Sequence, residues 1–272
     1  MTDSTADQLV LCERDDRGIA RITLNRPDKH NAFDDRMIAR LRQLFDALRD
    51  DNGVRIVILQ AAGKSFSAGG DLAWMQRMAD YDYGHNMDDA RALAEMLQAL
   101  KTLPQPTIAR VQGFAFGGAV GLVSCCDVAI ASDDARFGLT EARIGLIPAT
   151  IGPHVIEAMG TRWARRLFLT AERFDAQRAL DIHLIHEVCA LQALDERVAS
   201  VAKELLANSP AALREAKLLV QDFAGRPIDE AVIADTSARI AHMRVSEEGQ
   251  EGLRAFLEKR TPAWAQETTR DV

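Results

Sequence analysis

Three features of this chain could do chemistry together. The first is Ser67-Ala68-Gly69-Gly70-Asp71-Leu72, and the second is Gln112-Gly113-Phe114-Ala115-Phe116-Gly117-Gly118-Ala119-Val120-Gly121. Both are glycine-rich turns flanked by apolar runs. Glycine lets a backbone N–H come close to a ligand, because it lacks a Cβ and takes dihedrals that other residues avoid. Two such N–H groups aimed at one carbonyl oxygen would stabilise negative charge developing on it, forming an oxyanion hole. The third feature is Glu141, one strand beyond the second turn. It is the best candidate acid/base to work beside the two turns.

The elements that must hold these groups are readable from periodicity. Residues 19–25 alternate and predict a strand, which Arg26-Pro27-Asp28-Lys29 ends with a turn. From Phe33 to Arg49 the residues Met37, Leu41, Leu44, Phe45 and Leu48 share one helical face. A second strand at 54–59 leads into the first glycine turn. Asp88 to Leu103 is helical, and Pro104 and Pro106 stop it. A third strand follows at 107–112, Gly117-Gly118 opens a short helix, and a fourth strand lies at 128–131. Strands alternating with helices predict an α/β fold of parallel units. Beyond about residue 150 strand signals disappear. Helical runs succeed one another at 161–170, 176–182, 191–207, 210–223, 228–243 and 246–258. The expected division is a core domain over residues 1–200 that carries the site and a helical region over 201–272.

Bulk properties narrow the function class. A chain of 272 residues with 47% hydrophobic side chains can bury a sizeable core. Its 33 basic and 40 acidic residues give a net charge of −7, so the basic footprint of a nucleic-acid binder is missing. Cys12, Cys125, Cys126 and Cys189 have no zinc-type spacing, and no metal is expected. Cysteine this sparse fits a reducing compartment. The polar, acidic first residues resemble neither a secretory signal nor a transit peptide, and a cytoplasmic location is the expectation. Val111 to Ala131 is apolar enough to suggest a membrane span. Its four glycines and Asp127 argue instead for a buried strand, turn, helix and strand, so no membrane partner is expected. His183 and His186 are too weakly patterned to indicate a metal site.

Taken together, the chain resembles the crotonase family, the enoyl-CoA hydratase/isomerase superfamily. Asn25-Arg26-Pro27 with Asn31-Ala32 looks like its opening signature. Phe66 to Leu72 looks like its first oxyanion segment, and Gly113 to Gly121 with Cys126-Asp127 like its second. Phe137-Gly138-Leu139-Thr140-Glu141, running on to Gly145-Leu146-Ile147-Pro148, looks like its catalytic loop. Glu251-Gly252 to Phe256-Leu257-Glu258-Lys259-Arg260 looks like its C-terminal helix. Each motif alone is weak; their order and spacing together are specific.

The resemblance implies a crotonase-type spiral of β-β-α turns with a C-terminal helical trimerisation region. It implies an acyl-CoA thioester as substrate, with CoA part of the substrate and no separate cofactor. By position, the two oxyanion donors fall on the N–H groups of Gly70 and Gly118, with Glu141 as the catalytic carboxylate. Lys29, Ala68, Gly70, Asp71 and Leu72 fall on the CoA side of the site. Phe256 and Lys259 match the pair that reaches the adenine of a neighbouring subunit, so a homotrimer or dimer of trimers is expected.

The match departs from the best-known hydratases at one place. Those carry two glutamates, and here the first position is Gly121. Gly121 is read as leaving room for a substrate carboxylate and removing a charge that would repel it. The resulting expectation is an enoyl-CoA hydratase. The wording Gly117-Gly118-Ala119-Val120-Gly121 and Ile147-Pro148-Ala149-Thr150-Ile151 looks like bacterial 3-methylglutaconyl-CoA hydratases, used in leucine or isoprenoid catabolism. The alternatives are a Δ3,Δ2-enoyl-CoA isomerase using Glu141 as its single base, or a non-catalytic acyl-CoA-binding paralogue. Asp71 reads as a helix cap and Asp127 as a buried structural carboxylate. Arg143 and His154 are candidates to meet a distal substrate carboxylate, with surface or structural roles as the alternative.

Overall fold

The computed structural model describes residues 4–266. The elements run α1 (Ser4–Leu9), β1 (Val10–Arg14), β2 (Ile19–Leu24), α2 (Asp35–Arg49), β3 (Ile56–Ala61), α3 (Leu72–Ala79), α4 (Tyr83–Lys101) and β4 (Thr107–Val111). Then come β5 (Phe114–Phe116), α5 (Gly118–Cys125), β6 (Val128–Ser132), β7 (Arg136–Gly138), α6 (Gly152–Thr170), β8 (Arg173–Asp175), α7 (Ala176–Asp181) and β9 (Glu187–Cys189). The chain finishes in helices: α8 (Leu194–Leu206), α9 (Pro210–Phe223), α10 (Glu230–Val245), α11 (Glu247–Leu257) and α12 (Ala263–Gln266).

The larger sheet has the order β1-β2-β3-β4-β6-β9, with β1 antiparallel to β2 and every other pair parallel. Its central strands are covered on both faces, so they read as continuous apolar runs. On β3, Ile56 and Ile58 face a cluster with Ile108, Ile130 and the α8 residues Leu194, Val198, Val201, Ala202 and Leu206. Val57 and Leu59 alternate to the opposite face and join the main core with Met37, Leu41 and Phe45 of α2 and Leu97 and Leu100 of α4. Helix α8 therefore lies across the sheet through its last turn.

The smaller sheet, β5-β7-β8, creates the spiral. After each long strand the chain makes a second short pairing before entering its helix. Bridges between Phe33 and Gly70 and between Ser67 and Ala115, then the β5·β7 pair, are all parallel. Successive turns are thus stacked as β-β-α units, and this stacking brings the two glycine segments side by side. Helix starts are marked by side-chain caps: Asp34 accepts from Met37 N–H, Asp71 from Ala73 and Trp74, and Asp82 from His85.

The structure departs from the sequence reading at several elements, the short strands β5 and β7 and helix α3 among them. Strands β8 and β9 follow residue 150, and β1 precedes the first expected strand. Each of β8 and β9 has three residues, too few to show a period of two. Helix α4 begins at Tyr83 rather than Asp88, because Asp82 caps it. The expected helix at 161–170 is the second half of α6, set off by Gly160 at φ 77°. Among the described residues no helix is long and apolar enough to cross a membrane.

Candidate active site

Gly70 and Gly118 are held against the same residue, Phe33. Phe33 N–H donates to the Gly69 carbonyl at 2.7 Å, and Asp71 N–H donates to the Phe33 carbonyl at 2.7 Å. Backbone groups alternate sides along an extended segment, so the Gly70 N–H between them points away from Phe33. The ring of Phe33 lies 3.3 Å from where a Cβ on Gly118 would stand. Gly118 is the first residue of α5, where N–H groups have no partner within the helix. The two glycine segments are also joined directly. Ser67 N–H donates to Phe114, Phe116 N–H donates to Ser67, and the position of a Gly69 Cβ lies 3.1 Å from the Phe116 carbonyl oxygen.

Gly117 shapes the turn into α5. Its φ of 53° and ψ of −119° suit glycine alone, and its N–H donates to the Gly138 carbonyl at 2.9 Å. That conformation leaves its Cβ position 3.2 Å from Oε1 of Glu141. Glu141 starts a 3₁₀ turn over Glu141–Ile144, and Leu146 N–H donates to its carbonyl. Its Oε2 is buried with no hydrogen-bond partner. Burial pushes the carboxyl above its ordinary value, and a hydrogen bond from its own backbone N–H opposes this only in part. A carboxyl in such surroundings is suited to pass a proton rather than to hold a structural contact.

Asp71 and Lys29 form a different kind of cluster. Asp71 is buried, caps α3, and pairs with Arg26 at 3.0 Å and Lys29 at 3.1 Å. Burial alone would push the Asp71 carboxyl up. Hydrogen bonds from Lys29 and Trp74 N–H, with the charges of Arg26 and Lys29, outweigh it and hold the carboxyl below its usual range. Arg26 also pairs with Asp34 at 3.2 Å and donates to the Ala32 carbonyl. Asn31 is fully buried, accepts from Arg26 N–H, and donates to the carbonyls of Ala62 and Ser65. The Arg26–Asn31 segment thus ties the first glycine turn to the start of α2. Sequence spacing gave no sign of this cluster, since its members are separated by an entire helix and strand.

The remaining candidates scatter. Ala68 is half-buried with its N–H donated to His30, and the Leu72 side chain is exposed. Phe256, near the end of α11, is 81% exposed, and Lys259 follows at φ 55°. Arg143 is exposed. His154 is half-buried on α6, where burial and the Lys101 charge favour its neutral form. Asp127 corrects one expectation: it accepts from Thr107 N–H at 2.7 Å but lies at the surface, paired with Lys217. His186 accepts from Ala129 N–H at 3.0 Å. Among the described residues no group of three or more His, Cys, Asp or Glu is placed to hold a metal.

The expectation of open room beside Gly121 is also corrected. A Cβ there would stand 2.5 Å from Cγ2 and 2.9 Å from Cβ of Ile151, and 3.5 Å from Leu97 Cδ2. Ile151, at the start of α6, fills the space.

The sequence pattern of the enoyl-CoA hydratase/isomerase family matches residues 14–267. The chain belongs to this family. Among solved structures, it is 46% identical to an enoyl-CoA hydratase from Shewanella pealeana, covering 97% of this chain and 100% of that one, with a TM-score of 0.91. It is 37% identical to AtuE of Pseudomonas aeruginosa, over 95% and 100% of the two chains, with a TM-score of 0.91. An enoyl-CoA hydratase of Mycobacterium smegmatis is 34% identical over 94% and 98%, with a TM-score of 0.89. The crotonase resemblance drawn from the short motifs is thereby established over nearly the whole chain, as is the mixed α/β crotonase fold. The matched family is one whose members handle acyl-CoA thioesters.

Proposed function

We propose that this protein is an enoyl-CoA hydratase, adding water to an α,β-unsaturated acyl-CoA. The observation that carries the reading is the grouping of Gly70 and Gly118 around Phe33, with the buried, unpartnered carboxylate of Glu141 against Gly117. In this reading the thioester carbonyl oxygen accepts from the Gly70 and Gly118 N–H groups. Water oxygen bonds to Cβ while Glu141 takes one of its protons, and the C=C electron pair moves onto the thioester oxygen. The enolate collapses by taking that proton from Glu141 at Cα, which restores the carboxylate. The two N–H donors stabilise the enolate at the point where charge is greatest.

The acyl group we propose is 3-methylglutaconyl, an intermediate class in leucine degradation; the support is the wording of residues 117–121 and 147–151. We further propose that the working form is a homotrimer or a dimer of trimers. Helices α9 to α11 leave Leu218, Val220, Ile233, Ile240, Phe256 and Leu257 exposed, which suits burial by a second copy. Phe256 and Lys259 would then complete a neighbour's CoA site.

One observation favours a second reading. Ile151 over Gly121 leaves Glu141 as the carboxylate against the start of α5, and a 1,3-proton shift needs only one base on one face. That reaction would make the protein a Δ3,Δ2-enoyl-CoA isomerase. Incubation with 3-methylglutaconyl-CoA, crotonyl-CoA and a 3-enoyl-CoA, with products separated by mass, decides between them. Gain of one water supports the hydratase. An isobaric product supports the isomerase. Binding with no conversion of any of the three marks an acyl-CoA-binding paralogue and rejects both.

A further inference from the structure

The first turn of α5 has three glycines, and each has a different cap. The Cβ position of Gly117 meets the Glu141 carboxylate, that of Gly118 meets the Phe33 ring, and that of Gly121 meets Ile151. Residues three apart on a helix share a face, so Gly118 and Gly121 of α5 lie on one side, with Gly117 just before it in the turn. Rise along a helix is about 1.5 Å per residue, which sets Gly121 roughly one turn along α5 from Gly118. Ile151 is 2% exposed, so its side chain is fixed by packing rather than free to swing aside.

We propose that Ile151 is a specificity-determining residue of the site described above: by occupying the space over Gly121, it keeps any second acid/base out of the α5 wall and holds the reaction to Glu141. The proposal rests on the reading of Glu141 as the acid/base. It follows from contact distances that leave no choice of rotamer. Both Cγ2 at 2.5 Å and Cβ at 2.9 Å are closer than non-bonded carbons approach, so even the smallest side chain at 121 requires Ile151 to shift or shrink. The chemical consequence is a packed apolar side chain where a second carboxylate would otherwise stand.

The test is a double-mutant cycle with melting temperature and crotonyl-CoA hydration as paired readouts. Gly121→Glu alone should lower Tm by roughly 5 °C through overpacking and should not gain hydration. Ile151→Gly alone opens space without adding a carboxylate, and its hydration rate should stay at or below that of the wild type. The double variant Gly121→Glu/Ile151→Gly should melt above Gly121→Glu. It should also hydrate crotonyl-CoA about 10-fold or more faster than the wild type, within the range a second general acid/base supplies. The proposal is overturned if Gly121→Glu melts like the wild type, if the double variant melts no higher than Gly121→Glu, or if the double variant shows no rate gain. Glu141→Gln, measured in parallel, separates this from the underlying reading. Loss of turnover in Glu141→Gln with no gain in the double variant rejects Ile151 alone. Undiminished turnover in Glu141→Gln rejects the acid/base reading as well.

Discussion

Replacing Glu141 by glutamine should make the protein more stable and much less active. The side chain keeps its size, so packing against Gly117 is unchanged. What changes is that a carboxylate with one buried, unpartnered oxygen becomes a neutral amide. Leaving a charged group unsatisfied costs more than leaving a neutral one unsatisfied, by about 1 kcal/mol in a half-buried setting. That difference corresponds to roughly 2–4 °C in Tm. The pH dependence carries a definite sign. Burial raises the folded-state pKa of Glu141 above the ordinary value of 4.5. The folded protein therefore binds this proton more tightly than the unfolded chain does. The stability it contributes is fully present below the unfolded value and is lost as pH rises through the folded one. The variant lacks this loss, so its Tm advantage should be small near pH 4 and grow towards neutral pH. Turnover should fall by ~10²-fold or more, since general acid–base help of that size is removed. Thermal melts across the pH range, with kcat at neutral pH, check all three statements. A variant less stable than the wild type at neutral pH, a Tm difference independent of pH, or near wild-type turnover would refute the reasoning.

Three further outcomes follow from the same geometry. Gly118→Val should cost about 3–4 kcal/mol of transition-state stabilisation by displacing a donor, with a smaller effect on folding; kinetic constants beside a melt check it, and activity loss explained wholly by unfolding counts against the oxyanion role. Asp71→Asn should destabilise by about 1–3 kcal/mol, because buried Arg26 loses one of its two carboxylate partners and keeps only Asp34. Since the Asp71 carboxyl is held low, the wild-type contribution is present above the unfolded value and fades as pH falls through the folded one, so the Tm gap between variant and wild type should close in acid; a gap that persists there contradicts the ion-pair account. Lys259→Glu should raise the apparent KM for acyl-CoA while leaving kcat nearly intact, the pattern of lost uniform binding. An unchanged KM rejects its part in holding CoA, and light scattering that finds a fully active monomer rejects the shared site.

Much of the site's outline was legible in the sequence because its signals are local. Glycines at 69–70 and 117–118 mark close backbone approach, and Glu141 follows within one strand and turn. The parallel strands announced themselves as apolar runs between helices of ordinary period. What stayed hidden depends on contacts between distant segments. Phe33 reads as the start of a helix, yet it is the post on which both glycine segments rest. Arg26, Lys29 and Asp71 show their joint role only when the first and second turns of the spiral stack. Ile151 looked like part of a family wording, and only the packed structure shows it seated over Gly121. Asp127 lies between apolar residues, but the end of α5 brings it to the surface beside Lys217 of α9.

The central claim is that Gly70, Gly118 and Glu141 act together on a thioester enolate to add water. Its most direct test is mass analysis of the purified protein's reaction with 3-methylglutaconyl-CoA in isotopically labelled water. The account predicts a product heavier by one water, with the label at the β-hydroxyl and a solvent proton at Cα. It also predicts that Glu141→Gln slows both incorporations together. Label that never enters the acyl group, or enters at the wild-type rate in Glu141→Gln, would contradict it.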